Sequence, residues 1–86
     1  MVVGEARQAL DALRRDGFAM GEGFERAHET AQSHEGEPLF DWIHALCHRI
    51  EGDSGNANYW YRRAGRPPFE GAFEAEADAI AAELDR

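Results

Sequence analysis

The spacing of apolar side chains is the feature that most constrains how this chain can fold. Apolar residues recur every three or four positions, as on one face of a helix, and no segment alternates apolar with polar residues as a half-buried strand does. Glycine and proline, which commonly end helices, interrupt the pattern at Gly17, Gly36-Glu37-Pro38, Gly52 and Gly65-Arg66-Pro67-Pro68. The sequence therefore predicts an all-α fold: about five short helices in one compact bundle, forming a single domain over residues 1–86.

The segment between Pro38 and Gly52 carries the broadest apolar face. It presents seven large apolar or thiol side chains: Leu39, Phe40, Trp42, Ile43, Leu46, Cys47 and Ile50. Proline suits the first turn of a helix, glycine suits the left-handed position after its end, and Asp53 or Ser54 can cap the next helix. We predict that this third helix is the most buried, and that Cys47 is an inert buried thiol rather than a nucleophile.

Charge and length limit the choice of partners. The formal net charge is −8, and all nine basic residues are arginines. Nucleic acids and anionic membrane surfaces are bound by clustered basic residues, so neither is expected as a partner. A lone cysteine, the lack of a signal-peptide pattern and the lack of an apolar run of ~20 residues favour a cytoplasmic location. A chain of 86 residues builds only a small core, which favours a homo-oligomer or another protein partner.

The hairpin over residues 39–64 resembles a single tetratricopeptide-type repeat. Gly52-Asp53, Ala57, Tyr61 and Ala64, followed closely by prolines, resemble its second helix, and Ala45 matches a small residue of its first. Small residues let the paired helices approach in such repeats, and an aromatic fills the space between them. No second copy is present, and solenoids need about three repeats or more. The resemblance implies one repeat-like hairpin within a closed bundle.

A longer stretch carries a second resemblance. Residues 44–65 read HALCHRIEGDSGNANYWYRRAG and resemble a family of small, uncharacterised bacterial and fungal proteins with the pattern HALxHRxEGDxxNAxYWYRRAG. Ala27-His28 with Gln32 resembles the His-xxx-Gln element that precedes this pattern, so the likeness covers about residues 26–66. The chain departs from the pattern at Ile43, where the family often has Trp, because Trp42 stands one place earlier. The resemblance implies a helical unit and carries no reaction.

The histidines supply the candidate site. His44 and His48 are four residues apart on the third helix, so their rings stand on successive turns, and Glu51 extends the same polar stripe. His28 shares a helix face with Phe24, and the short connection makes the second and third helices antiparallel neighbours. We therefore predict that His28, His44, His48 and Glu51 lie together near the junction of the second, third and fourth helices. Such a cluster could bind Zn, Fe or Mn and leave one position open for water.

Four further polar residues are predicted to support this cluster or to lie at its rim, either as helix caps or as partners of the ligands. They are Gln32, Asp41, Asp53 and Asn56. Without a metal, the same residues could form a buried polar network that fixes helix register, and the absence of a HExxH-type acid favours this network. No cofactor is certain from the sequence. His34 has the least context and is expected to face solvent.

The fourth helix offers a candidate partner surface. Tyr59 and Arg63 project away from the apolar side of this helix, and tyrosine and arginine are enriched at protein interfaces. Arg63 also forms a small basic cluster with Arg62 and Arg66, which could pair with the acidic last helix, within one subunit or between two, or bind an anionic ligand. The acidic residues of that last helix are expected on its outer face: Glu70, Glu74, Glu76, Asp78, Glu83 and Asp85.

Two functions remain open from the sequence. The favoured one is a small helical interaction or structural module that self-associates. The alternative is a metal- or small-ligand-binding protein, which could also be an enzyme, that uses the His/Glu cluster of the second and third helices.

Overall fold

The computed structural model describes residues 2–86, and five helices form within this range. They are α1 Val3–Arg15, α2 Glu22–Ser33, α3 Pro38–Glu51, α4 Ser54–Ala64 and α5 Phe73–Leu84. Residues 2–86 contain no strand, so the predicted all-α bundle of five helices is confirmed. None of the helices in the described part of the chain is both long and apolar enough to span a bilayer.

The ends of α3 and α4 follow from the predicted capping residues. Pro38 opens α3, where its fixed φ suits a first turn. Gly52 and Gly65 follow the two helices in the left-handed conformation, with φ of 86° and 73°, which glycine adopts without a steric penalty. Asp53 caps α4 by accepting a hydrogen bond from the backbone N–H of Asn56 at 3.1 Å. These local signals fix the hairpin that carries most of the candidate site.

The third helix is the centre of the molecule. It packs against each of the other four helices of the described range, and nine of its fourteen residues are buried. The prediction that α3 is the most buried helix is confirmed, although Leu39 and Ile50 at its ends are only half-buried. Cys47 is fully buried, and burial raises the pKa of its thiol to about 12, as expected for an unreactive core residue.

Glu76 overturns part of the expectation for α5, because this acid is fully buried rather than on the outer face. It accepts hydrogen bonds from Trp42 Nε1 at 2.9 Å, from Arg49 Nη1 at 2.5 Å and from the Tyr61 hydroxyl. Glu76 lies three residues after Phe73 and four before Ile80, which places it on the inward stripe of the helix. The buried carboxylate therefore joins α5 to α3 and α4.

His34 also differs from its expected exposure. It is half-buried, and its ring stacks on that of Phe40 with centroids 4.3 Å apart. Its two nitrogens contact the carboxylates of Glu5 and Glu37. The hydrogen bond to Glu5, and to a lesser degree that to Glu37, raises the pKa of His34 above its usual value. His34 therefore joins the start of α1 to the start of α3, away from the other three histidines.

Candidate metal centre

Three histidines from two helices converge at one point of the structure. His28 comes from α2, and His44 and His48 come from successive turns of α3. One ring nitrogen from each of the three lies within 4.8 Å of the others. The Nε2 atoms of His28 and His44 are 3.1 Å apart. Helical spacing and the short connection between α2 and α3 thus bring together the three histidines of the predicted cluster.

Aromatic packing orients the three rings. The rings of His44 and His48 stack with centroids 4.9 Å apart, and His28 stands nearly perpendicular to both. His28 lies parallel to Phe24, one turn earlier on α2, at 5.8 Å. His44 lies against the indole of Trp60 from α4, with centroids 3.9 Å apart and planes 15° apart. These neighbouring rings restrict the rotation of the His28 and His44 side chains.

Glu51 lies outside the group of three histidines and contacts one of them. Its Oε1 lies 2.7 Å from Nδ1 of His48, the residue one turn earlier on α3. This contact leaves Nε2 of His48 free to bind a metal. A carboxylate on the far nitrogen is the common arrangement behind metal-binding histidines, because it fixes the tautomer and the ring orientation. Glu51 therefore lies behind His48, outside the three-histidine group, and forms a second group of metal-capable side chains with His48 and Asp53.

The electrostatics of the cluster keep its most buried ring neutral. Burial, and then the neighbouring His28 and His48, lower the pKa of His44 to about 3. Burial and His48 also lower the pKa of His28, against the opposing effect of Glu51. A neutral imidazole has a free lone pair, which metal binding requires. Near neutral pH, both residues are therefore ready to act as ligands.

Two buried polar atoms of α3 have no hydrogen-bond partner among the described residues: Oδ2 of Asp41 and Nδ1 of His44. The other oxygen of Asp41 accepts a hydrogen bond from the backbone N–H of Gly36 at 3.1 Å. Burial raises the pKa of Asp41, against that hydrogen bond and the positive charge of Arg63. Each unpaired buried atom costs about 1–3 kcal/mol, so both sites require an explanation.

The remaining predicted supporting residues divide into two groups. A carboxylate oxygen of Asp53 lies within 4.8 Å of ligand-capable atoms of His48 and Glu51, which places the α4 cap at the rim of the cluster. Asn56 is exposed and contributes its backbone N–H to that cap. Gln32 is exposed, and no hydrogen bond joins its side chain to a histidine within residues 2–86. Asp53 thus lies beside His48 and Glu51, whereas the side chains of Asn56 and Gln32 make no hydrogen bond to a histidine within the described residues.

The predicted partner surface lies on the outer side of α4. Tyr59 is 43% exposed, and its hydroxyl accepts a hydrogen bond from Arg63 Nη1 at 3.0 Å. The Arg63 guanidinium also lies over the ring of Trp60, 5.5 Å from its centroid. Arg66 lies over Trp42 and pairs with Glu83 of α5 at 3.1 Å, whereas Arg62 is exposed. Of the three arginines, Arg66 thus makes the pairing with the last helix that the sequence suggested.

The two stacking contacts of the cluster differ in how far the sequence predicts them. The stacking of His28 on Phe24 has a sequence signal, because residues four apart on a helix are neighbours. The stacking of His44 on Trp60 has none, since it depends on how α4 packs against α3. Trp60 is buried in the core, and its indole also forms one wall of the site.

Comparison of the chain with protein-family models, with curated proteins and with solved structures finds no match. The resemblances carried by residues 26–66 and by the α3–α4 hairpin therefore stay predictions.

Proposed function

We propose that this protein binds a divalent transition metal, Zn, Fe or Mn, through His28, His44 and His48. The observation that carries the proposal is the convergence of three ring nitrogens from two helices within 4.8 Å. Zn–N bonds of about 2.0–2.1 Å at tetrahedral angles separate two ligand nitrogens by about 3.3–3.4 Å. The Nε2 atoms of His28 and His44 are 3.1 Å apart, so a small outward movement of the rings would fit the ion.

Three protein ligands leave one coordination position for water or another small ligand, as in catalytic rather than structural zinc sites. His28 is only half-buried, so that position can be reached from solvent. Because His28 lies on α2 and the other two ligands on α3, a bound ion would also tie these helices together. Once the metal concentration exceeds Kd, the stabilisation of the folded state rises with the logarithm of that concentration.

The proposal is tested on protein purified without an affinity tag, incubated with excess Zn(II) and then desalted. We expect elemental analysis to give about one zinc per chain, and expect a chelator to lower the melting temperature. His28→Ala should abolish zinc retention while keeping the fold, since His28 is the most exposed of the three ligands.

His34→Gln is the matched control, because His34 lies outside the cluster and should leave zinc retention unchanged. After chelation, His28→Ala and the wild type should differ less in melting temperature than they do with zinc, because both then lack the ion. Equal zinc retention by the wild type and His28→Ala would contradict the proposal.

A second function, self-association through the outer side of α4, is favoured by the exposure of Tyr59. An aromatic that is 43% exposed, beside Arg63 and the exposed Arg62, has the composition of an interface centre. A second copy of a chain with a net charge of −8 offers acidic surfaces that complement the arginines.

Sedimentation velocity at micromolar concentrations should then give a mass above the 9.6 kDa of one chain. Tyr59→Ser should shift the protein toward the monomer. Met20→Ser should not, although Met20 is 55% exposed, because it lies on the α1–α2 connection, outside this surface. A monomer at every concentration, with and without zinc, would exclude this function.

A further inference from the structure

The acids of α3 are placed symmetrically around its two histidines. Asp41 precedes His44 by three residues, and Glu51 follows His48 by three, so the helix reads Asp-x-x-His-x-x-x-His-x-x-Glu. Glu51 already contacts Nδ1 of His48 at 2.7 Å. Asp41 and His44 are both buried, and each keeps one polar atom without a partner in the described part of the chain. The second acid–histidine pair therefore has the same spacing as the first, but its hydrogen bond is not made.

Helix geometry places the side chains of Asp41 and His44, which carry these two unpaired atoms, on one side of α3. Side chains three residues apart on a helix are neighbours, and helical side chains lean toward the N-terminus, so the His44 ring leans over the turn that carries Asp41. Trp60 of α4 stacks on His44, and Arg63, on the next turn of α4, lies over Trp60. Because both unpaired atoms are buried and belong to neighbouring positions of α3, a small shift of the two side chains would bring Oδ2 of Asp41 to Nδ1 of His44.

We propose that Asp41 is a positioning residue of the metal site: its Oδ2 accepts a hydrogen bond from Nδ1–H of His44. A proton held on Nδ1 leaves the lone pair of Nε2 free, and Nε2 is the atom that faces His28. The inference rests on the proposed function, because the lone pair matters only if a metal is bound. It assigns to both α3 ligands a carboxylate that selects the metal-binding tautomer.

Asp41→Asn tests this role because an amide should reverse the tautomer. The backbone N–H of Gly36 donates to Oδ1 of Asp41, which fixes the amide oxygen at that position and turns the NH₂ group toward His44. The amide would then donate to Nδ1 of His44, and the ring proton would move to Nε2 and block the metal-binding lone pair. We expect zinc affinity to fall at least about tenfold, as is usual when a carboxylate behind a ligand is lost.

If Asp41 had only a structural role, Asp41→Asn would not change the tautomer of His44. In metal-free protein, two-bond ¹H–¹⁵N correlation spectra should show His44 protonated on Nδ1 in the wild type and on Nε2 in Asp41→Asn. The melting temperature of metal-free Asp41→Asn should not fall, since the amide gives both unpaired atoms a partner. Asp11→Asn is the matched control, because the Asp11 carboxylate is exposed on α1 and pairs with Arg14; its zinc affinity and His44 tautomer should match the wild type.

The outcomes separate the two proposals. If wild-type protein binds no zinc, the proposed function fails and this inference fails with it. If wild-type protein binds zinc and Asp41→Asn binds it equally well, only the role of Asp41 is overturned. Should Asp41→Asn not fold, the wild-type spectrum decides alone: protonation of His44 on Nδ1 supports the pairing, and protonation on Nε2 overturns it.

Discussion

Replacing Glu76 with alanine is expected to lower the free energy of unfolding by about 3–5 kcal/mol, the usual cost of removing one partner from a buried charged pair. The carboxylate is fully buried and accepts hydrogen bonds from Trp42, Arg49 and Tyr61. Alanine would leave all three donors without their acceptor, in a cavity too enclosed to replace it fully with water. A small domain is stable by only about 5–15 kcal/mol, so the variant should be close to unfolding.

Urea unfolding followed by far-UV circular dichroism measures this change. Glu76→Gln retains the volume and one acceptor oxygen, so its effect should be smaller, about 1–3 kcal/mol. Glu74→Ala is the matched control, because Glu74 lies two residues away on the same helix with an exposed side chain, and should change stability by no more than about 0.5 kcal/mol. Equal stabilities of Glu76→Ala and Glu74→Ala would show that the buried network contributes little.

Glu76 also shows where prediction from the sequence stops. The helices and their ends could be predicted because apolar spacing, Pro38, Gly52 and Asp53 act through the local backbone. Nothing local distinguishes Glu76 from the exposed acids beside it except its place between Phe73 and Ile80 on the inward stripe. Its burial is possible because two aromatic donors and one arginine converge on it from α3 and α4, and that convergence is a property of the packed bundle.

The candidate site could be predicted from the sequence to about the same extent as the fold. The spacing of His44 and His48, with the short connection that leads to α2, is enough to bring the three histidines together. A helical wheel gives the side of a helix but not the atom that faces a neighbour, so Glu51 was expected as a ligand and instead contacts Nδ1 of His48. The unpaired atoms of Asp41 and His44 depend on how closely α4 covers α3, which no sequence pattern reports.

Acid should destabilise the metal-free protein through its neutral histidines. In the unfolded chain, His44 has its ordinary pKa of 6.5, whereas burial beside His28 and His48 lowers the folded value to about 3. Between these two values the unfolded state binds more protons than the folded state, so stability is greatest above pH 6.5 and falls as the pH decreases. His28, whose pKa is also lowered, acts in the same direction.

His34 opposes this effect, because the hydrogen bonds to Glu5 and Glu37 raise its pKa. Its contribution is fully present in acid and is lost as the pH rises through the folded pKa, so it partly masks the loss from His44. Burial also raises the pKa of Asp41, so protonation of Asp41 stabilises the folded protein in the pH range where carboxyl groups titrate. The measurement should therefore use His34→Gln and stay above about pH 5, where most carboxyl groups remain ionised.

In chelator-treated His34→Gln, the free energy of unfolding should fall by about 2 kcal/mol between about pH 7.5 and about pH 5, the cost of keeping one histidine neutral over this range. The wild type should lose less, because protonation of His34 then stabilises its fold. Urea unfolding at several pH values measures both changes. With saturating zinc the loss should be steeper, because protons compete with the metal for the same nitrogens. Equal stability of chelator-treated His34→Gln at the two pH values would mean that His44 accepts a proton in the folded state. This result would contradict a buried His44 that stays neutral.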